Sequence, residues 1–373
     1  MRLLIVNRRY CPGEAWTNRV LAYARGFAEL GVKVNLCYLI SDKQRNKYDI
    51  SIPGVEIVNL WEGDGILGKR NRYVSFLSNL IKLKHYIRPT DYVLICDGES
   101  LIIYAALLKT NKVYVEITEH PFFKSRDENA RLSYFKKLLL TRVRGLFVIS
   151  KSLRQYFVQN GVEYQKIHIS NMFVDINRFS AEKQSNIERY FAYCGVISTY
   201  KDGVDILLKA FSQFLEYYPE YKLYIIGRFE SPQIKEELFN LTESLQIRNS
   251  VVFTGAVDPA NMPELLINAQ ALVLARPSNL QAKYGFPTKL GEYLATGNPV
   301  IVTNVGEVGA FIKNFENGIV SPPDNPSVFS QCMRWVVENP EKAKKIGLSG
   351  KVLANSEFSY KTQCKTVLDI LKS

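Results

Sequence analysis

The stretch 283-KYGFPTKLGEYLATGNPVIVT-303 decides how the rest of this 373-residue chain is read. It divides into a loop, a short helix and a buried strand. Pro287 and Thr288 suit a helix start, proline because its missing N–H costs nothing there, threonine because its hydroxyl can cap the first N–H groups. Gly297 closes the helix, Pro299 prevents its continuation, and Val300-Ile301-Val302 follows as an apolar strand. The unpaired N–H groups and partial positive charge of the helix start favour a phosphate. Lys289 adds a full cation. Glu292, one turn in, is placed to accept hydrogen bonds from the two vicinal hydroxyls of a ribose. The local alternative is a plain helix cap with a solvated glutamate.

Around this stretch the order is strand, loop, helix, strand, repeated through both halves of the chain. Residues 2–6 form an apolar strand, a helix runs from Thr17 to Leu30 and stops at Gly31, and Val32 to Leu39 is the second strand. Further strands are expected at Val55–Leu60, Tyr92–Cys96 and Val113–Ile117. The second half restarts with Phe191–Cys194, the Gly195 turn and a helix from Val204 to Phe214. Leu223–Ile226, Val251–Gly255 and Ala271–Ala275 then continue the strand series. Alternation of this kind builds parallel α/β sheets.

Composition narrows the class. A hydrophobic content of 47% with 23% charged residues describes a globular chain long enough for two domains. No apolar run approaches the roughly 18 residues that cross a bilayer, and no signal-peptide pattern opens the chain. The six cysteines form no C-x-x-C pair, which argues against disulfides or zinc and fits a cytoplasmic setting. A net charge of +12 implies an anionic partner. Nucleic acid is not expected, since no nucleic-acid module is recognisable.

Two local patterns need weighing. Gly63-Asp64-Gly65-Ile66-Leu67-Gly68 satisfies G-x-G-x-x-G between a strand and a helix, yet the acidic ribose ligand expected about 20 residues on is absent, so an NAD site is not read here. Ser125 to Arg144 interleaves Arg126, Arg131, Lys136, Lys137, Arg142 and Arg144 with leucines and aromatics. On a helix this would suit anionic headgroups, or simply form a solvated face.

Taken together, the ordered motifs resemble the retaining glycosyltransferase family 4. Glu292 with Gly297-Asn298-Pro299-Val300 matches the end of its Glu-x7-Glu signature, and Pro287, Lys289, Glu292 and Tyr293 match a Pro-x-Lys-x-x-Glu-Tyr branch. Asn171, Val174, Asp175 and Phe179 match the hinge stretch, and Lys201 and Gly203 the phosphate turn with Asp202 inserted. The likeness extends over nearly the whole chain. Two departures stand out: Tyr284 occupies the first glutamate position, and Val196 the arginine position of the phosphate turn. The resemblance implies a GT-B fold, two Rossmann-like parallel-sheet domains facing across a cleft. Residues 1–180 would serve the acceptor, residues 181–355 the nucleotide sugar, and 356–373 would return as a helix to the first domain.

The resemblance also implies roles. His120, in Thr118-Glu119-His120-Pro121 at a strand's C-terminal end, would lie beside the transferred sugar, and Lys201 and Lys289 would stabilise the leaving diphosphate. Gly13, Gly195, Arg228, Tyr284, Gly285 and Glu292 would contact the donor. Trp16 and Arg19 either face the first loop or pack. The activity implied is transfer from a nucleoside-diphosphate sugar with retention, without a metal or other cofactor, the chain having no Asp-x-Asp. The acceptor implied is a lipid-linked glycan of bacterial surface polysaccharide synthesis, met by peripheral contact with the inner face of the plasma membrane. The alternatives are a degenerate homologue that binds a nucleotide sugar without transfer, and a sugar-nucleotide epimerase of similar fold.

Overall fold

The computed structural model describes residues 1–11, 14–39, 51–59, 72–96, 98–108, 110–122, 125–127, 129–184 and 188–373. The chain divides into two compact units, Met1–Phe173 with Tyr360–Ser373, and Val174–Ser359.

Among the described residues the first unit holds a seven-stranded parallel sheet: β1 (Arg2–Asn7), β2 (Lys33–Tyr38), β3 (Val55–Asn59), β4 (Tyr92–Ile95), β5 (Val113–Ile117), β6 (Gly145–Val148) and β7 (Ile167–Ile169). Their order is β3-β2-β1-β4-β5-β6-β7. The central strands are buried on both faces, as Leu3, Leu4, Ile5 and Val6 are, which is why they read as unbroken apolar runs. The C-terminal helix Tyr360–Lys372 belongs to this unit and packs on the helix Ala15–Glu29. Gly26 permits that approach, since a Cβ there would meet Cys364 Sγ at 2.5 Å. Cys364, Val367, Leu368 and Leu371 join Tyr23 and Phe27 in one core.

The second unit holds β8 (Tyr190–Cys194), β9 (Lys222–Ile226), β10 (Val251–Gly255), β11 (Ala271–Leu274), β12 (Val300–Thr303) and β13 (Ile319–Ser321). All pair in parallel, in the order β10-β9-β8-β11-β12-β13. Both sheets therefore reverse their order beside the first strand, the Rossmann arrangement that opens a binding crevice at the strands' carboxyl ends. In the second unit that crevice lies between the ends of β8 and β11.

The elements differ from the sequence reading in part. Among the described residues of Ser125–Arg144 the helix is confined to Tyr134–Thr141, begun by Ser133, whose hydroxyl accepts the Lys136 N–H at 3.3 Å. The terminal helix starts at Tyr360 rather than Ser356, after a separate helix Pro340–Glu357. A helix Gly98–Leu107 and the short β7 had no counterpart in the sequence reading.

Candidate functional site

The second unit's site is built from three elements that meet at the β8/β11 reversal. Gly195 leaves β8 with φ of 150°, and Gly227 leaves β9 with φ of 135°. A Cβ on Gly227 would lie 1.9 Å from the Gly195 carbonyl oxygen, so neither the angle nor the space admits a side chain. The short helix Thr199–Asp202 follows, started by Ser198, whose hydroxyl accepts the Lys201 N–H at 3.1 Å. It ends on left-handed Gly203, where a Cβ would stand 2.1 Å from the Ala275 carbonyl oxygen. This contact presses the β8 loop onto the β11 loop and delivers Asp202 to the junction.

Asp202 is 2% exposed and gathers the charges of the site. Its Oδ2 accepts from Lys289 Nζ at 2.5 Å and lies 2.7 Å from Tyr193 Oη, and its Oδ1 is 3.8 Å from Arg276 Nε. Lys289 also donates to Tyr193 Oη at 3.0 Å, and Arg276 Nε donates to the Lys201 carbonyl at 3.2 Å. Arg276 is 3% exposed. Burial alone would push the Asp202 carboxyl up, but Lys289 and Arg276 outweigh it and hold it below its ordinary value. Burial pulls the Lys289 ammonium down, with Asp202 opposing. Two cations, Lys289 and Arg276, thus converge on the Asp202 carboxylate.

The helix Lys289–Thr296 supplies the rest. Three and four residues after Lys289, Glu292 and Tyr293 follow on the same side. The Tyr293 hydroxyl accepts the Cys194 N–H at 2.7 Å and ties the helix to the end of β8. Glu292 Oε1 accepts from Arg178 Nη1 at 2.7 Å, with both side chains about a quarter exposed or less. Arg178 sits in the turn Ile176–Phe179, which Asp175 starts by accepting the Asn177 N–H at 3.2 Å. Gly297 ends the helix at φ of 81°, as its sequence position suggests. Thr288 does not cap it with its side chain. Its own backbone is already helical, with φ of −56° and ψ of −31°, whereas a capping residue needs an extended one.

The structure thus brings Gly195, Lys289 and Glu292 together. Lys201 lies beside Asp202 and contributes its carbonyl to Arg276. Arg228 is exposed at the end of β9, its carbonyl accepting the Ile197 N–H at 2.8 Å. Tyr284 and Gly285 close the preceding helix Leu280–Tyr284, where the Gly285 N–H reaches the Gln281 carbonyl at 3.0 Å. Gly13 and the Gly63–Gly68 pattern lie outside the described residues. Sequence reasoning passed over Asp202, Arg276, Tyr193 and Arg178 as site residues. The strand-end rule, applied to β8 and β11, singles out Arg276.

In the first unit His120 is buried at the end of β5. Its Nδ1 accepts the Phe122 N–H at 3.2 Å, which leaves the proton on Nε2, and its ring meets Tyr156 edge-on at 4.3 Å. Arg19 packs inside this unit. Its guanidinium donates to Glu116 Oε1 at 2.7 and 3.0 Å and to the carbonyls of Ser170 and Asn171, and it lies 4.2 Å from the Phe173 ring centre. Among the described residues no cluster of His, Cys, Asp or Glu is suited to hold a metal, and no helix is long and apolar enough to cross a membrane.

Residues 175–352, a little under half of the chain, match the family described as Glycosyl transferases group 1. The D-rhamnosyltransferase WbpZ of Pseudomonas aeruginosa is 34% identical over 174 residues, 46% of this chain and 41% of that relative. An uncharacterized glycosyltransferase of Methanocaldococcus jannaschii is also 34% identical over 174 residues, 47% of this chain and 42% of the relative. The chain therefore spans about two fifths of the length of these curated relatives. The crystal structure of Anabaena HepE in complex with UDP-glucose superposes with a TM-score of 0.77 at 15% identity, covering 100% of this chain and 99% of that one. Likeness at that identity concerns the fold, and the fold is GT-B.

Proposed function

We propose that this chain is a retaining glycosyltransferase of the family 4 type, moving a hexosyl group from a nucleoside-diphosphate sugar to an acceptor. The observation that carries this is the pair of buried cations, Lys289 and Arg276, fixed beside Asp202 at the β8/β11 crevice. Buried cations fixed at a strand-end crevice favour an anion. The leaving diphosphate of a sugar transfer gains negative charge as the glycosidic bond breaks, so fixed cations and N–H groups there lower the barrier. Glu292, on the helix that carries Lys289, holds the ribose. Lys201 adds charge at the rim, Gly195 gives the phosphates room, and Arg228, Tyr284 and Gly285 contact the donor. No metal is required in this reading. Arg276 offsets the arginine missing at Val196, which favours an active enzyme over an inert homologue.

The HepE structure is a complex with UDP-glucose, and WbpZ is a D-rhamnosyltransferase; both support a nucleotide-sugar donor here. In this reading residues 181–355 hold the donor and residues 1–180 the acceptor, with His120 beside the transferred sugar. A thermal-shift panel of UDP-, GDP-, ADP- and dTDP-linked sugars, followed by product analysis, tests the assignment. Stabilisation by none of them would refute it.

The acceptor we assign is a lipid-linked glycan of bacterial surface polysaccharide synthesis, reached from the cytoplasmic face of the membrane. Tyr134 is 82% and Leu138 40% exposed on one side of the helix Tyr134–Thr141, with Arg131, Lys136 and Lys137 close by in sequence. Each basic side chain near an anionic surface contributes about 1 kcal/mol. Reversing Arg131, Lys136 and Lys137 to Glu should release the protein from phosphatidylglycerol vesicles while sparing donor binding. A wild type that ignores such vesicles at low salt would point to a soluble acceptor.

A further inference from the structure

We propose that Asp202 is the positioning residue of this anion site, its carboxylate holding the Lys289 ammonium against the Gly195 turn while Arg276 balances its other oxygen. The inference rests on the reading that a nucleoside diphosphate binds here, and it adds what keeps the buried cation in place and charged.

The geometry is specific. Lys289 Nζ is 2.5 Å from Asp202 Oδ2 and 3.0 Å from Tyr193 Oη, and it occupies the space that a Cβ on Gly195 would take, 2.4 Å from that position. The Lys289 side chain is 14% exposed and that of Asp202 2%. A buried pair of this kind contributes little net stability, because desolvating both ions offsets their attraction. The arrangement is better explained by what it does to the ammonium. Tyr193 and Cys194 from β8, Lys201 and Asp202 from the short helix, Arg276 from the β11 loop and Glu292 from the next turn of its own helix surround it. Among those that bear on Lys289 most strongly, burial and Lys201 favour the neutral amine, and Asp202 is the principal opponent. Without Asp202 the lysine would lose its proton as pH rises, and the site would lose the charge that meets the diphosphate.

Calorimetric titration with UDP, GDP, ADP and dTDP between about pH 6 and pH 9 tests this on wild type, Asp202→Asn, and Asp202→Asn with Lys289→Met. The phosphate's own titration affects all three proteins alike, so the ratio of variant to wild-type affinity reports on the protein. For Asp202→Asn that ratio should fall roughly tenfold across the range, one pKa unit of lost protonation. In the double variant the ratio should be low and flat, since no ammonium remains to titrate. A flat ratio for Asp202→Asn, or a slope that persists in the double variant, would overturn the proposal. If Asp202→Asn does not fold, Lys289→Met in the same background should restore melting, because the orphaned cation is then the cause; no rescue would also overturn it. A wild type that binds none of the four diphosphates would overturn the donor reading and this proposal with it.

Discussion

Replacing Gly195 with Ala tests whether the anion site proposed for the second unit is shaped by backbone. The residue has φ of 150°, and the new methyl carbon would lie 2.4 Å from Lys289 Nζ and 2.9 Å from its Cε. Gly255 provides the control, since it also has positive φ, 70°, but nothing within 4 Å of its Cβ position. Gly255→Ala should therefore show only backbone strain, about 1–3 kcal/mol. Gly195→Ala carries strain of the same kind plus a methyl forced into a packed site, about 1–3 kcal/mol more. Lys289 must also leave its 2.5 Å contact with Asp202. If that ammonium meets a phosphate, losing the charge-assisted hydrogen bond costs about 1.5–3 kcal/mol, a roughly 10- to 150-fold rise in Kd. Chemical denaturation and calorimetry with UDP and GDP measure both effects. Equal destabilisation of the two variants, with Gly195→Ala binding within about threefold of wild type, would refute the reasoning.

Glu292→Ala should weaken nucleoside-diphosphate binding by about 1.5–3 kcal/mol, and Arg178→Ala by less, because Arg178 touches the carboxylate at 2.7 Å and orients it; unchanged affinity for UDP and GDP in both variants would remove the ribose role. His120→Ala should depress turnover and leave diphosphate affinity nearly intact, since the histidine lies at the end of β5 in the other unit; equal losses in the two measurements would indicate unfolding instead. Burial pushes the Cys37 and Cys194 thiols up to about 12 and Cys332 to about 11, so native protein at about pH 8 should leave these three unmodified by Ellman's reagent until denaturant is added. Rapid labelling of Cys194 in the native state, read by peptide mass mapping, would contradict the raised thiol pKa at this half-buried position beside the site.

The fold was legible because parallel strands covered on both faces are continuous apolar runs. Val113–Ile117 and Val251–Gly255 have the bounds their sequences suggest. The segments missed lack that signal. β7 is three residues with His168 in the middle, and the helix GESLIIYAAL is apolar over most of its surface, which erases the 3.6-residue contrast. In Ser125–Arg144, mixed charge and apolar character without a clear period leaves the helix bounds open; among the described residues there it is Tyr134–Thr141 that forms one. Within the site, Lys289 and Glu292 were visible because one helix carries both. Asp202 and Arg276 were not, because their relation exists only after β8 and β11 become neighbours.

That relation links two departures from the family 4 pattern. Val196 stands where an arginine is expected, and Asp202 is the residue inserted between Lys201 and Gly203. The first removes a positive charge from the β8 loop and the second adds a negative one, so together they would leave an anion site unfavourable. The deficit is met from across the sheet reversal. Arg276 comes from the β11 loop and Lys289 from the helix that leads into β12, and both charges face the inserted carboxylate. Tyr193 bridges the two changes, its hydroxyl lying 2.8 Å from the Val196 carbonyl and 2.7 Å from Asp202. Placing arginine at position 196 while keeping Asp202 would therefore bring a third cation to Lys289 and Arg276. Deleting the carboxylate while keeping Val196 would take from Lys289 and Arg276 the carboxylate that they share. Both changes are read together with Arg276 and Lys289, which is why neither can be judged from its own position in the sequence.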